Sequence, residues 1–397
     1  MTGTLLFHEL IKYTILLYSL CGIFMRGFSL KSISYVLLLL LFIPSLIVSA
    51  GDIPVGISFR KLVAANLAGP VALVVCSIYF YRRKFTFDEI SLAIQTSIGP
   101  ILMMTIYIIS YTPTDLSEAV TSTQSNFDTS GGFGPNQVST VLGLGMFFTF
   151  FRFLTVRNFL YNIIDLFLFG LITYRAWLTF SRGGVLTAFA MIAVTFFLLI
   201  RKRKSARVKG SSLSLKATLI ISSVVVAFIY TSIATGGIIE NRYTNKDING
   251  REKTDVSAGR SDINQLEIQA FLENPLLGIG SGQSKYYRLE RGGEQAASHN
   301  EITRLLAEHG SLGVLILIFL LVLPLLMRSS NRSNIFFYAF LGFWLATINH
   351  SATRIAAPSL VYALSLIQLD FKREEEEENV KEQNTSFART SNLKLSH

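Results

Sequence analysis

Apolar stretches of about 20 residues recur along nearly the whole chain, and they constrain the fold more than any other feature. That is the length a helix needs to cross the hydrocarbon core of a bilayer. Only 16% of the 397 residues are charged, well below the quarter that is usual in a soluble domain. The sequence therefore predicts an all-α fold, a polytopic transmembrane helix bundle of about 10–12 helices.

The apolar stretches place the transmembrane helices near 5–24, 33–50, 62–80, 90–110, 135–152, 159–178, 182–200, 216–235, 311–327, 335–349 and 353–369. Basic residues cluster in short segments between them, as in Arg82-Arg83-Lys84. The positive-inside rule then predicts that loops 81–88, 152–158, 201–215 and 328–334 face the cytoplasm. Segments 51–61, 111–134 and 237–310 fall on the outer side. Eleven helices put the N-terminus outside and the C-terminus inside.

The predicted domain organisation is one transmembrane domain over 1–369, which includes the outer loop 237–310, followed by a cytoplasmic tail over 370–397. The tail carries five consecutive glutamates, Glu374 to Glu378. Such a run repels itself, so the tail is predicted to be disordered. The net charge of +10 lies in short loops with no folded basic surface around them. This distribution indicates membrane lipids as surroundings and argues against nucleic acid as a partner.

Loop 237–310 is too long to be a simple connection. After Gly259 its sequence predicts an amphipathic helix with Ile263, Leu266 and Ala270 on one face, lying against the membrane or the bundle. Pro275 ends this helix. The glycine-rich segment 278–282 that follows has a spacing that indicates phosphate binding only weakly, because it follows a helix rather than a strand.

A second short helix is predicted after Ser298, which has the spacing of a capping box with Glu301. Gly310 is placed to end it. The pattern puts His299 in the first helical turn, where the helix dipole favours a neutral imidazole that is able to accept a proton. The alternative is that His299 is a polar residue near a cap with no chemical role.

Two arginines lie at the predicted outer boundary of the membrane, each at the start of a helix. Arg182 precedes two glycines that allow close approach, and Arg260 begins the amphipathic helix. Guanidinium groups at helix N-termini can bind a phosphate or diphosphate bidentately. The alternative for each is an anchor for lipid headgroups. Arg175 lies nearby and is interpreted as an interface anchor.

The order and spacing of these segments resemble the O-antigen ligase and polymerase superfamily of bacterial envelopes. The resemblance covers roughly 131–315 and rests on Gly132-Phe133-Gly134-Pro135-Asn136-Gln137, Ser181-Arg182-Gly183-Gly184, Gly259-Arg260, Asn274-Pro275-Leu276-Leu277-Gly278-Ile279-Gly280, His299-Asn300 and Glu308-His309-Gly310-Ser311-Leu312-Gly313. One position departs from the pattern. Members often carry a tryptophan on the helix after the second arginine, where this chain has Asn264.

The resemblance implies a metal-independent glycosyltransferase without a cofactor, in the bacterial inner membrane, with its active site facing the periplasm or exterior. Its donor would be an undecaprenyl-diphosphate-linked glycan, and its acceptor a sugar hydroxyl on lipid A core or on another lipid-linked glycan. Arg182 and Arg260 would bind the diphosphate and stabilise it as the leaving group. His299 would act as the general base on the acceptor hydroxyl.

The remaining polar residues of these motifs receive supporting roles. Asn136, Asn300 and Glu308 are interpreted as supports of the loop geometry, and His309 as structural.

Several functions remain open within and beyond this class. O-antigen ligation, repeat-unit polymerisation and protein glycosylation share the motifs. A transporter or flippase is the alternative from another class, but its ionisable groups usually lie near the membrane midplane. Here Asp165, expected to pair with Arg157, is the main such group. A metal-dependent glycosyltransferase fits poorly, because loop 51–61 offers only Asp52 as a ligand.

Overall fold

The computed structural model describes residues 2–53, 56–201, 213–253, 257, 259–293, 298–330, 334–350 and 356–370. Helices make up 75% of the residues that the structure describes, which confirms the all-α fold. Of the predicted disordered tail over 370–397, only Asp370 belongs to the described residues.

Seventeen α-helices follow one another in the described part of the chain. They are α1 (Thr2–Arg26), α2 (Ser34–Leu40), α3 (Ile43–Gly51), α4 (Phe59–Phe80), α5 (Phe87–Tyr111), α6 (Leu116–Ala119), α7 (Pro135–Thr155), α8 (Phe159–Leu178), α9 (Arg182–Arg201), α10 (Leu213–Ala234), α11 (Ile238–Tyr243), α12 (Arg260–Glu273), α13 (Ser284–Glu290), α14 (Glu301–His309), α15 (Ser311–Ser330), α16 (Phe337–Ile348) and α17 (Ala356–Ser365). Short 3₁₀ helices cover Leu30–Ile33 and Asp128–Ser130. Two strands, β1 (Lys84–Phe85) and β2 (Gln368–Leu369), pair in parallel.

Within the described ranges, seven helical segments are long and apolar enough to cross a bilayer. They are Leu30–Gly51, Phe87–Tyr111, Asp128–Thr155, Phe159–Leu178, Arg182–Arg201, Leu213–Ala234 and Ser311–Arg328. Four shorter apolar helices, Tyr13–Arg26, Asn66–Phe80, Phe337–Ile348 and Ala356–Ser365, lie at the other four predicted spans. The polytopic bundle is therefore confirmed.

Helix α7 forms the centre of the bundle, with 17 of its 21 residues buried. It packs against α5, α8 and α9. The contact with α9 is made by small residues, since a methyl group built on Gly143 would lie 2.6 Å from the carbonyl oxygen of Gly184. Phenylalanines fill the other faces of α7, with Phe147 and Phe151 fully buried. This rigid centre carries the N-termini of α7 and α9 to one end of the bundle.

The segments between the helices collect at two ends. At one end Arg83 donates to the carbonyl oxygen of Gly27 at 2.9 Å, and β1 pairs with β2 just after α17. At the other end Gln283 bonds the carbonyl oxygen of Asp52, and Thr123 donates to that of Lys246 at 3.1 Å. The segments are grouped as the alternation of basic loops predicts. We call the second end, which carries 237–310, the loop end.

Helix α14 packs against α12 and against α3. His309 is buried there, with its Nδ1 2.5 Å from Ser45 Oγ and its ring edge-on to Phe42. The glycine-rich segment packs onto the same helix, because a methyl group on Gly278 would overlap the backbone of α14. These contacts give His309 and Gly278 packing roles.

Two local predictions are wrong. Asn300, not Ser298, caps α14, since Asn300 Oδ1 accepts from the amide of Ile302 at 3.0 Å. Asparagine caps as well as serine, and the hydroxyl of Ser298 is bonded elsewhere. His299 consequently precedes the helix rather than lying in its first turn. Asp165 binds Arg152 of α7, at 2.7 Å from its Nε, rather than Arg157, because α7 packs along α8.

Candidate functional site

The connection between α8 and α9 is a tight turn that presents Arg182 at the loop end. Phe180, buried and at φ 54°, adopts the left-handed conformation that L-residues rarely take. The two glycines after Arg182 allow α9 to approach its neighbours, because a methyl group on Gly184 would overlap the backbone of Ser139 in α7. A methyl group on Gly183 would lie 2.5 Å from the ring of His350. The motif therefore packs the helix end and leaves the arginine side chain projecting from it.

Asn245 holds the guanidinium of Arg182. Its Oδ1 accepts from Arg182 Nη1 at 2.6 Å. Asn245 is itself in the left-handed region at φ 59°, which asparagine tolerates better than most residues. It belongs to a turn of the loop that is closed by an isolated bridge between Lys246 and Glu252. The loop thereby fixes the direction in which Arg182 points.

Arg242 of α11 joins the same cluster and was not predicted from the sequence. It is only 8% exposed, and its Nε donates to the carbonyl oxygen of Phe180 at 2.9 Å. Burial, followed by the positive charges of Arg182 and Arg260, lowers the pKa of Arg242 to about 10. A guanidinium with so perturbed a pKa lies among other cations in a poorly solvated place.

Arg260 is the third member of the cluster. It begins α12, after Gly259 at φ 76°. Burial lowers the pKa of Arg260, and Arg182 lowers it further. Among the residues that the structure describes, no carboxylate forms an ion pair with Arg182, Arg242 or Arg260. Three neighbouring cations with no acidic partner among the described residues, beside the positive end of α12, form a cluster that negative charge would stabilise.

His299 is linked to the turn that carries Arg182. Its Nδ1 lies 3.4 Å from Asn136 Nδ2, at the start of α7. The other end of the same amide, Asn136 Oδ1, accepts from Ser181 Oγ at 2.8 Å. Asn136 is therefore a bridge between the histidine and the residue that precedes Arg182.

A buried ion pair fixes the segment that carries His299. Glu267 of α12 accepts from Arg288 Nη1 at 2.6 Å, and both side chains are 1% exposed. The second carboxylate oxygen of Glu267 accepts from Ser298 Oγ at 3.2 Å and from Thr303 Oγ1 at 2.6 Å. These bonds hold the residues on both sides of His299, and they explain why the buried face of α12 carries a glutamate.

Helix α14 is tied to the membrane part of the bundle through Arg304. This arginine binds Glu301 at 2.5 Å and Glu308 at 3.2 Å. Its Nη1 also donates to Asn66 of α4 at 2.6 Å. The contacts make Glu308 part of the support of α14, and they brace the helix whose N-cap, Asn300, directly follows His299.

His350 lies at the same end, between α16 and the described start of α17. Its Nε2 is 3.1 Å from Thr140 Oγ1, and its Nδ1 is 2.9 Å from the carbonyl oxygen of Ala346. Burial lowers the pKa of His350 to about 4, against the opposing effect of the Ala346 carbonyl, and the charge of Arg260 lowers it further. The contact with Ala346 requires a proton on Nδ1, because a carbonyl oxygen can only accept. We assign His350 a packing role against Gly183.

The structure thus brings together Arg182 and Arg260, and it links His299 to their neighbourhood through Asn136. Arg175 lies apart, 3% exposed, where its Nη2 donates to Thr112 Oγ1 at 2.5 Å and to the carbonyl oxygen of Thr129 at 3.1 Å. Asn264, at the position where relatives carry tryptophan, accepts from Thr303 at 3.3 Å. It packs α12 on α14.

Three residues of this region were missed by sequence reasoning. Arg242, Asn245 and His350 carry no recognisable spacing, and their role depends on contacts across more than 60 positions of sequence, such as that between Arg242 and Phe180. Among these three, Arg242 could have been suspected from the sequence, because it is a basic residue early in a predicted outer loop.

An apolar helix bundle that carries a cluster of cations in a helical loop at one end belongs to the class of multi-pass membrane proteins. Residues 167–318 match the family model described as O-antigen ligase, so the resemblance to that superfamily is confirmed. The match includes Arg182, Arg242, Arg260 and His299. The family is one of bacterial membrane glycosyltransferases of the O-antigen ligase and polymerase type, which act on lipid-linked glycans. No curated protein matches the chain.

Proposed function

We propose that the protein transfers glycan from an undecaprenyl-diphosphate-linked donor to a sugar hydroxyl of an acceptor at the outer face of the inner membrane. The observation that supports this most is the cluster of Arg182, Arg242 and Arg260, three cations without a described acidic partner, next to the segment of His299. A diphosphate carries the opposite charge, and a lipid-linked one reaches the end of the bundle from the bilayer.

The arginines bind the diphosphate and stabilise it as it leaves. In the transition state the bond between the anomeric carbon and the diphosphate oxygen breaks, and its electron pair stays on the diphosphate. Arg260 stabilises added negative charge strongly, because burial leaves its charge poorly screened by water, and Arg182 adds a second positive charge beside it. Arg242 adds a third charge and fixes the backbone ahead of Arg182 through Phe180.

His299 is the general base of the proposed reaction. The acceptor oxygen forms the new bond to the anomeric carbon while its proton moves to the imidazole. This step requires a neutral ring. The reaction needs no metal ion for this balance of charge and protons, so we propose that it is metal-independent.

The acceptor distinguishes the members of this class. Lipid A core as acceptor gives an O-antigen ligase, which is our first choice, and a second lipid-linked repeat gives a polymerase. Protein glycosylation follows if the hydroxyl belongs to a polypeptide. A flippase reading has less support, because the described cationic cluster lies at the loop end rather than at the midplane.

The proposal is tested with purified protein in liposomes that contain a polyprenyl-diphosphate-linked glycan and a candidate acceptor. We expect free polyprenyl diphosphate and elongated acceptor to appear together, at a rate unchanged by EDTA. Movement of intact donor across the bilayer without cleavage would instead identify a flippase. Loss of transfer with EDTA, restored by a divalent ion, would contradict the metal-independent mechanism.

The arginine cluster should respond to diphosphate in the absence of a lipid. We expect inorganic pyrophosphate to raise the Tm of the detergent-purified protein, because bound anion relieves the repulsion among the three guanidinium groups. Arg182→Gln and Arg260→Gln should each reduce this shift strongly. Arg291→Gln is the matched control, since Arg291 is exposed in the same loop and paired with Glu273. Equal shifts in all variants would refute the diphosphate site.

Asn136 should select the protonation site of His299. Ser181 Oγ can donate or accept, so a half-turn of the Asn136 amide would present Oδ1 to a proton on His299 Nδ1 and leave Nε2 to act as the base. In Asn136→Asp, the carboxylate can only accept a hydrogen bond from His299 Nδ1. We expect it to keep activity within about tenfold and to shift the acid limb of the pH profile of kcat/KM upward, because a carboxylate raises the pKa of His299.

Asn136→Leu is the comparison, because it removes the contact while keeping the volume. We expect it to lose most activity, by about 10²-fold. If Asn136→Asp is as inactive as Asn136→Leu, or keeps the wild-type pH profile, Asn136 does not act through the tautomer of His299.

A further inference from the structure

Helix α12 has a buried face and, on its exposed surface, a polar edge and an apolar edge. The buried face, formed by Ile263, Glu267 and Ala270, packs toward the rest of the loop. One edge is polar and consists of Asp262, Gln265, Gln269 and Glu273. Next to it lies an apolar edge, which carries Ile268 and Leu272, one helical turn apart, on the side away from the buried face and in the C-terminal half of the helix. The helix that the sequence predicts as amphipathic therefore exposes two apolar residues outside its buried face.

The apolar edge continues beyond the helix. Leu276 and Leu277 follow Pro275, and together with Ile268 and Leu272 they form what we call the leucine edge. The four side chains are 44% (Ile268), 69% (Leu272), 73% (Leu276) and 45% (Leu277) exposed. Four large aliphatic side chains exposed within ten consecutive residues are unusual for a soluble surface, and they indicate a contact surface.

Two hydrogen bonds place this edge beside the first residue of a membrane-spanning helix. The amide of Ser311, the first residue of α15, donates to the carbonyl oxygen of Pro275 at 2.7 Å, and Ser311 Oγ donates to that of Leu276 at 3.0 Å. One turn further along α15, Leu315 and Ile318 are 43% and 48% exposed on the surface that faces lipid. The leucine edge is thus an extension of the lipid-facing surface of α15.

The side chains on the polar edge of α12 form hydrogen bonds and an ion pair. Gln269 donates to Glu273 at 2.8 Å, and Glu273 also binds Arg291 and the hydroxyl of Tyr287. Such groups need water. The apolar edge can therefore contact acyl chains while the neighbouring polar edge stays in contact with water.

We propose that the leucine edge inserts among the acyl chains of the leaflet at the loop end, so that α12 is anchored in the bilayer at its C-terminal end. The helix has 14 residues, a length of about 21 Å, with Arg260 at its other end. This anchor holds the cationic cluster at a fixed distance from the membrane surface. The inference concerns the position of the loop and holds whether or not the protein is a glycosyltransferase.

The test uses tryptophan fluorescence in liposomes made with brominated phosphatidylcholine, whose bromines quench indoles within the acyl region. Leu272→Trp reports on the leucine edge, and Gln269→Trp on the polar edge of the same helix is the matched control. The native Trp177 and Trp344 are 5% and 1% exposed, so their signal is subtracted with the wild-type protein.

We expect quenching of the added tryptophan in Leu272→Trp to exceed that in Gln269→Trp severalfold, and to be stronger with bromines near the headgroup than near the chain end. Equal, weak quenching in the two variants would overturn the proposal. The proposal would also be overturned if quenching of the tryptophan in Leu272→Trp fell as more protein is added per lipid. Such a result would show that the leucine edge contacts a second copy of the protein.

Discussion

His299→Ala is expected to lower the rate of glycan transfer by about 10²- to 10⁴-fold, the range that a lost general base usually costs. The alanine has no group to accept the proton of the acceptor hydroxyl, while the arginine cluster and the loop around it stay in place. Donor binding should therefore persist. The measurement is the initial rate of transfer in the liposome assay, with pyrophosphate-induced stabilisation as the readout of binding.

Gln265→Ala is the control for this variant, because Gln265 is exposed on α12 of the same loop. It should keep the wild-type rate. A His299→Ala protein that transfers glycan at an undiminished rate would remove His299 as the base. One that loses both transfer and pyrophosphate binding would assign His299 to donor binding instead.

Gly184→Ala is expected to have the largest effect on folding. The added methyl group would overlap the carbonyl carbon and oxygen of Ser139, which belong to the backbone of α7 and cannot move without displacing the centre of the bundle. Overpacking of this kind costs about 1–3 kcal/mol and occasionally more. We expect a lower Tm in detergent and a smaller yield of monodisperse protein by size-exclusion chromatography.

Gly342→Ala is the matched control in α16, where a methyl group meets no atom within 4 Å. It should leave the Tm unchanged or raise it slightly, since alanine favours a helix over glycine by about 1 kcal/mol. Equal behaviour of the two variants would show that the contact between α7 and α9 is looser than the structure indicates.

The membrane fold was predictable because length and apolarity alone decide it. Each predicted span coincides with an apolar helix, and even the short α16 and α17 lie where the sequence places them. Local details were less predictable. Ser298 and Asn300 are both good N-caps, and only the tertiary bond from Ser298 to Glu267 decides which one is used.

The site could be predicted only in the part that motifs carry. Arg182, Arg260 and His299 stand at recognisable spacings, whereas Arg242 is recognised through its contact with a backbone carbonyl that precedes Arg182. The buried pair of Glu267 and Arg288 is invisible to sequence patterns, since it puts charge on the face of α12 that a helical pattern assigns to apolar residues. Long-range polar contacts do not follow any local period.

The central claim is tested most directly by complementation in a bacterial host that lacks its own enzyme. Wild-type protein and His299→Ala are produced at equal levels in the membrane, and surface glycan is read on a gel. We predict that wild type restores polymer or capped lipid and that the variant does not, with the banding distinguishing ligation from polymerisation. Full restoration of surface glycan by His299→Ala would contradict the proposed catalytic role and favour transport of the lipid-linked glycan instead.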